Sequence, residues 1–144
     1  DTMWDGTKAI AHAIAEAVKQ QSPSTVVKVF HIAKSDKNEV MTEIFKSRAI
    51  ALGSPTYLNG VLASVSGWLA FLKPLKFKKK RAAAFGCYGW SGEGVKVLQD
   101  GLAAAGFDVI DEQVKSLWNP DENDFAKVPE LVKSLLEDSP AAKQ

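Results

Sequence analysis

Ala82-Ala83-Ala84-Phe85-Gly86-Cys87-Tyr88-Gly89-Trp90-Ser91-Gly92-Glu93-Gly94 is the stretch from which the fold can be read. Its first four residues are small or apolar at every position, the pattern of a short strand covered on both faces. Four glycines then alternate with Tyr88 and Trp90, which is poor material for a plain connection. Val95, Leu98, Leu102 and Ala105 follow at helical spacing, and Gly106 stands where a left-handed C-cap would close that helix. Strand, glycine-rich turn and helix form the repeating unit of a parallel α/β sheet.

The unit recurs in both directions. Upstream, Ala49-Ile50-Ala51-Leu52 is apolar throughout, as in a strand covered on both faces, and Leu62, Val65, Leu69 and Leu72 mark a helix stopped near Pro74. Before it, Asp36 can cap a helix with the stripe Val40, Met41, Ile44 and Phe45, with Glu39 completing a capping box. Residues 26–32, β-branched but carrying Lys28 and His31, read as an edge strand, and residues 7–20 as a helix ended by Ser22-Pro23. Downstream, residues 107–114 read as a strand, and Pro120-Asp121-Glu122 leads into a last helix bearing Phe125, Val128, Leu131, Val132, Leu135 and Leu136. The expectation is one α/β domain over residues 1–138, an open parallel sheet with helices on both faces, followed by a tail or linker at 139–144. The pattern opens on a loop and a helix, so the first, central strand is expected to be absent from this chain. Four parallel strands should then show either a gap or a direct pairing that closes it, as in a fragment cut at the start of the domain.

Composition narrows the function. Lys and Arg total 18 against 17 Asp and Glu, a formal charge of +1, which gives no global electrostatic case for nucleic acid or an anionic membrane. One cysteine makes neither an internal disulfide nor a thiolate cage, and His12 and His31 match no zinc spacing, so the expectation is a cytoplasmic, metal-free protein. No apolar run approaches the roughly 18 to 20 residues of a membrane span.

Ligands of open parallel sheets sit outside the carboxyl ends of the strands. Three segments qualify: residues 1–7, 53–60 and 86–94. They hold seven of the ten glycines, both tyrosines and two of the four tryptophans. Glycine permits close backbone approach and aromatics supply flat apolar surface, which together suit a planar ligand gripped by backbone amides. Asp1-Thr2-Met3-Trp4-Asp5-Gly6-Thr7 runs into a helix N-terminus that favours a phosphate, with the hydroxyls of Thr2 and Thr7 as donors. The plainer alternative is that Thr7 or Asp5 only caps the helix. Asp5 itself would have to be turned away from an anion. No P-loop lysine follows a glycine-rich run.

These residues resemble the flavodoxin-like domain of flavodiiron proteins, or A-type flavoproteins, and within them the flavorubredoxin branch. The resemblance rests on Asp1-Thr2-Met3-Trp4 with Thr7, on Gly53-Ser54-Pro55-Thr56, and most specifically on Ala84 through Gly92. It implies a five-stranded sheet of order 2-1-3-4-5 and a bound FMN. Thr2, Met3, Trp4, Asp5, Gly6 and Thr7 would surround the phosphate. Ser54, Pro55, Thr56, Tyr57, Leu58, Asn59 and Gly60, with Cys87, Tyr88, Gly89, Trp90, Ser91 and Gly92, would flank the isoalloxazine. Asp5 stands where a small or neutral polar residue is usual, and Cys87 where serine is usual; Cys87 is expected beside the flavin as an ordinary thiol. In the whole family protein a metallo-β-lactamase-like domain holds a diiron centre that reduces oxygen or nitric oxide. The present chain would be the electron-delivering part, served by a donor such as rubredoxin and carrying no catalytic residue of its own.

Lys73, Lys76, Lys78, Lys79, Lys80 and Arg81 form a basic run, ordinarily a solvated connection and alternatively a docking patch for an acidic donor. Trp68 and Phe71 read as helix packing, and Trp118 as loop packing. Two function classes stay open at this point: an electron-transfer flavoprotein domain, or a cofactor-free flavodoxin-like interaction module. A free-standing quinone reductase of the same fold is a third. Tyr57, Tyr88 and Trp90 beside glycines favour the cofactor.

Overall fold

The computed structural model describes residues 1–139. Its elements, in order, are α1 (Gly6–Gln21), α2 (Lys37–Lys46), β1 (Ala49–Gly53), the short strands β2 (Thr56–Tyr57) and β3 (Gly60–Val61), α3 (Ala63–Leu72), β4 (Arg81–Tyr88), α4 (Glu93–Ala104), β5 (Asp108–Leu117), α5 (Glu122–Phe125) and α6 (Val128–Leu136). β1, β4 and β5 make a parallel sheet in that order, with Leu52 opposite Ala84 and Phe85 opposite Val114. β2 and β3 form a separate antiparallel hairpin.

Alternation along β4 builds two cores. Ala83, Phe85 and Cys87 pack with Ile10 and Ile14 of α1 and Leu131 and Val132 of α6. Ala82 and Ala84 fall on the other face, with Val65 and Leu72 of α3 and Leu98 and Leu102 of α4. Helices therefore cover both faces, as the sequence pattern predicts, and the small side chains of β4 let them come close.

Residues 26–32 do not form the predicted strand. The segment is extended at His31, with φ −96° and ψ 101°, and then tightens into a single turn at Ile32–Lys34. A strand exists only through a ladder, and this segment and the outer edge of β1 both line a cavity of about 730 Å³. The described residues thus hold three contiguous parallel strands rather than the four expected, and neither the expected gap between two strands nor a direct pairing that closes it is formed. For the same reason β1 is not covered on both faces: Ala51 is exposed and Ile50 only partly buried.

Side-chain caps start two of the six α-helices among the described residues, α2 and α5. The Asp36 carboxylate accepts from the amides of Asn38 and Glu39 at 3.0 and 2.9 Å, without a returning bond from the Glu39 side chain. The capping box forms instead at α5, between Asp121 and Asp124. Of the predicted tail, Ser139 is buried and residues 140–144 lie outside the described residues. No helix among the described residues is long and apolar enough to cross a membrane.

At the end of α4, Gly106 N–H donates to Ala103 and Phe107 N–H to Leu102, the paired bonds of a Schellman motif. Gly106 has φ +95°, and a Cβ there would lie 2.3 Å from the Phe77 carbonyl oxygen. Gly106→Ala is therefore expected to destabilise the fold by more than about 1 kcal/mol, measured by chemical denaturation, because strain and overlap act together.

Candidate functional site

Parallel strands bring the carboxyl ends of β1 and β4 to one edge, and α1 starts at the same edge. In the first loop, Asp5 occupies the N-cap position of α1 in a left-handed conformation, φ 62° and ψ −4°, and its side chain makes no cap bond. The carboxylate is 78% exposed and lies 3.6 Å from Lys8 Nζ. Asp5 is thus turned to solvent, and no side chain caps the first amides of α1. Thr7 is 3% exposed. The hydroxyl oxygens of Thr2 and Thr7 are both buried without a nitrogen or oxygen partner among the described residues, and the Thr7 hydroxyl faces the Cys87 sulfur. Buried hydroxyls are costly when unpaired. Two of them beside an uncapped helix N-terminus fit a phosphate group.

Cys87 behaves differently from its expectation. Its side chain is buried in the core with α1 and α6, against Gly6 and Thr7 at the end of the first loop. A Cβ on Gly6 would come within 2.9 Å of its sulfur, so Gly6 is what seats the start of α1 on this thiol. Burial pushes the Cys87 thiol above its ordinary value.

The second loop is tied down by Ser54, which is fully buried, accepts from the Leu62 amide at 3.1 Å and donates to the Pro55 carbonyl at 2.9 Å. Its hydroxyl is therefore committed to the loop, and Pro55 is buried beside it. Thr56 Oγ1 accepts from Gly94 N–H at 3.1 Å, joining the second loop to the third. Leu58 and Asn59 turn the β2–β3 hairpin with φ 47° and 58°, which holds Leu58 84% exposed and Tyr57 half exposed at the site edge.

In the third loop Trp90 is 90% exposed. Its ring meets Trp118 edge to face at 5.3 Å between centroids. A Cβ on Gly89 would lie 2.9 Å from the Trp118 ring, and Trp118 N–H donates to the Tyr88 carbonyl at 2.7 Å. Lys115 Nζ lies 5.0 Å from the Tyr88 ring centre and crosses Gly92 so closely that a Cβ would overlap its chain. A hydrogen bond from the Ser91 hydroxyl, with one from its own backbone, holds Glu93 below the usual carboxylate range.

The structure thus gathers Thr2, Met3, Trp4 and Thr7 with Tyr57, Leu58, Asn59, Gly60, Tyr88, Gly89 and Trp90 at one edge. It turns Asp5 outward and Cys87 inward. Trp118, read from sequence as loop packing, belongs to this edge because β5 runs three residues beyond its predicted end. The basic run lies at the opposite end, about 25 Å away over the eight residues of β4. There Lys76 donates to Ala104, Lys80 to Phe45 and Ser47, and Arg81 pairs with Asp108 and Glu137. A donor docked on that run would be far from these loops.

Residues 1–130 match the flavodoxin family. The chain belongs to that family. The anaerobic nitric oxide reductase flavorubredoxin of Aeromonas hydrophila is 40% identical over 135 residues, covering 94% of this chain and 27% of that protein. The structure of rubredoxin oxygen:oxidoreductase from Desulfovibrio gigas superposes with a TM-score of 0.88 at 33% identity, over 94% of this chain and 33% of that one. A flavodoxin from the domain Archaea superposes with a TM-score of 0.79 at 27% identity, over 92% and 90% of the two chains. The flavodoxin domain described here therefore spans about a quarter of the flavorubredoxin it matches. It is an electron-transport flavoprotein domain, and its cofactor is FMN.

Asp5→Asn is expected to leave FMN affinity within about twofold and to change stability by no more than a few tenths of a kcal/mol, since asparagine keeps the left-handed conformation and the lost interactions with Lys8 and the helix N-terminus are solvent-exposed. Titration of apoprotein with FMN and thermal unfolding check both. Cys87→Ser is expected to lower stability by about 1–3 kcal/mol through a buried, unpaired hydroxyl while FMN binding persists. In the unsubstituted domain a thiol reagent should modify Cys87 only as fast as the fold opens, so denaturant should accelerate labelling.

Proposed function

We propose that residues 1–138 act as one unit that holds FMN noncovalently and relays electrons from a rubredoxin-type donor to a diiron site. That site would be carried by a metallo-β-lactamase-like domain of the same protein or of a second subunit. The observation that carries the proposal is the pair of buried hydroxyls of Thr2 and Thr7, without a nitrogen or oxygen partner among the described residues, at the uncapped start of α1 next to two aromatic loops. The names of the flavorubredoxin and rubredoxin oxygen:oxidoreductase relatives support the choice of donor, and the diiron acceptor is what the resemblance to flavodiiron proteins implies.

When bound, FMN supplies the redox chemistry, and the protein supplies position and electrostatics. Thr2 and Thr7 donate hydroxyl hydrogen bonds to the phosphate, joined by the amides of residues 3–7, including those of Met3, Trp4, Asp5 and Gly6. Residues 54–60 and 87–92 flank the ring system: Tyr57, Tyr88 and Trp90 supply flat surface and Gly60 lets backbone approach it, while Gly89 and Gly92 make room for the Trp118 ring and the Lys115 chain that brace the third loop. Trp118 braces Trp90 from behind. The relay needs no acid, base or nucleophile from this chain.

Titrating apoprotein with FMN and with riboflavin tests this reading. FMN should lose fluorescence and shift its visible bands as it stacks on the aromatic loops, and should bind more tightly than riboflavin. Thr7→Val should weaken FMN about tenfold, the equivalent of one charge-assisted hydrogen bond, with little effect on riboflavin. An FMN spectrum and fluorescence unchanged by the protein would instead indicate a cofactor-free interaction module.

A further inference from the structure

The Asp1 carboxylate is held by donors from three parts of the chain. Oδ1 accepts from the Thr2 N–H at 2.8 Å and lies 2.6 Å from His31 Nε2, and Oδ2 accepts from the Ser64 hydroxyl. The side chain is 6% exposed, compared with 34% for His31. A carboxylate buried this far is tolerated when its lone pairs are filled, and here three donors fill most of them. The donors are 1, 30 and 63 positions away in sequence, so the contact is tertiary. Ser64 lies in the first turn of α3, just past the second loop, and His31 closes the extended segment before Ile32–Lys34. One side chain thereby fastens the first loop to the elements on either side of it.

The consequence falls on Thr2. Its backbone N–H is committed to Asp1, while its hydroxyl stays buried and without a partner. We propose that Asp1 is a positioning residue for the phosphate end of the cofactor: it acts through Thr2, fixing that residue so that the hydroxyl is directed to a phosphate monoester while the carboxylate stays engaged with its own donors. This also accounts for an acidic residue so close to an anion site. Its charge is stabilised by Ser64, His31 and the Thr2 amide, which lowers its repulsion toward the ligand. The proposal rests on reading residues 2–7 as the phosphate site.

The experiment measures FMN and riboflavin dissociation constants by flavin fluorescence for the unsubstituted chain, Asp1→Ala, Thr2→Val, the double variant and Ser64→Ala. Asp1→Ala should weaken FMN about tenfold and leave riboflavin within about twofold. The double variant should lose no more than the weaker-binding single variant, because both changes remove one function. Ser64→Ala should shift FMN in the same direction by less. Asp1→Asn, which keeps an accepting oxygen, should restore part of the FMN preference, and it carries the comparison if the alanine variant does not fold. Equal losses for FMN and riboflavin, or additive losses in the double variant, would overturn the proposal by showing that Asp1 serves only the fold. If the unsubstituted chain binds FMN no better than riboflavin, or Thr2→Val changes neither, the phosphate reading itself fails and the role of Asp1 fails with it.

Discussion

Everything at the carboxyl edge depends on how closely the backbones of Ser54 and Gly86 approach. A Cβ at Gly86 would lie 1.9 Å from the Ser54 carbonyl oxygen, so no other residue type fits there without moving the chain. The contact continues the β1–β4 ladder one step past its last pair, with Ser54 N–H donating to Phe85 at 3.2 Å. From that crossing the second loop departs on one side and the third on the other, and Thr56 joins them again at Gly94. The relative placement of the second and third loops is therefore set by this main-chain crossing together with the Thr56–Gly94 bond.

What the sequence revealed and what it hid follow from the range of the interactions involved. β4, its loop and α4 were legible because small residues, glycines and an apolar stripe are local signals that agree with one another. The same holds for Asp36 and Gly106, whose roles are settled within five residues. Residues 26–32 misled because β-branched composition records a willingness to pair, whereas a strand needs a partner edge, and the facing edge of β1 lies across a cavity. The loop motif located Cys87, but its direction follows from the parity of β4: it shares a face with Ala83 and Phe85, and that face looks toward α1. Trp118 was missed because the end of β5 was set too early. The Asp1, His31 and Ser64 cluster joins distant positions with no pattern a linear reading could detect.

Much of the edge is held by polar groups that are already committed. Ser54 is closed on its own loop, and burial would raise Asp124, yet hydrogen bonds from Lys127 and the Asp121 backbone keep it below the usual carboxylate range. Against that background the hydroxyls of Thr2 and Thr7 are conspicuous. With the Ser116 hydroxyl near the end of β5, they are buried side-chain donors that no nitrogen or oxygen among the described residues satisfies, and the two in the first loop mark the place where an outside group completes the structure.

The far end of the sheet has a consequence of its own. Lys76, Lys80 and Arg81 are engaged there with backbone carbonyls and carboxylates, whereas Lys73, Lys78 and Lys79 stand exposed at about 25 Å from the loops. That separation exceeds two Debye lengths at physiological ionic strength, so charge at those three positions is electrically invisible to a flavin. Surface charge for solubility, immobilisation or crystal contacts can therefore be rewritten at one pole of the molecule without altering the energetics of electron transfer at the other.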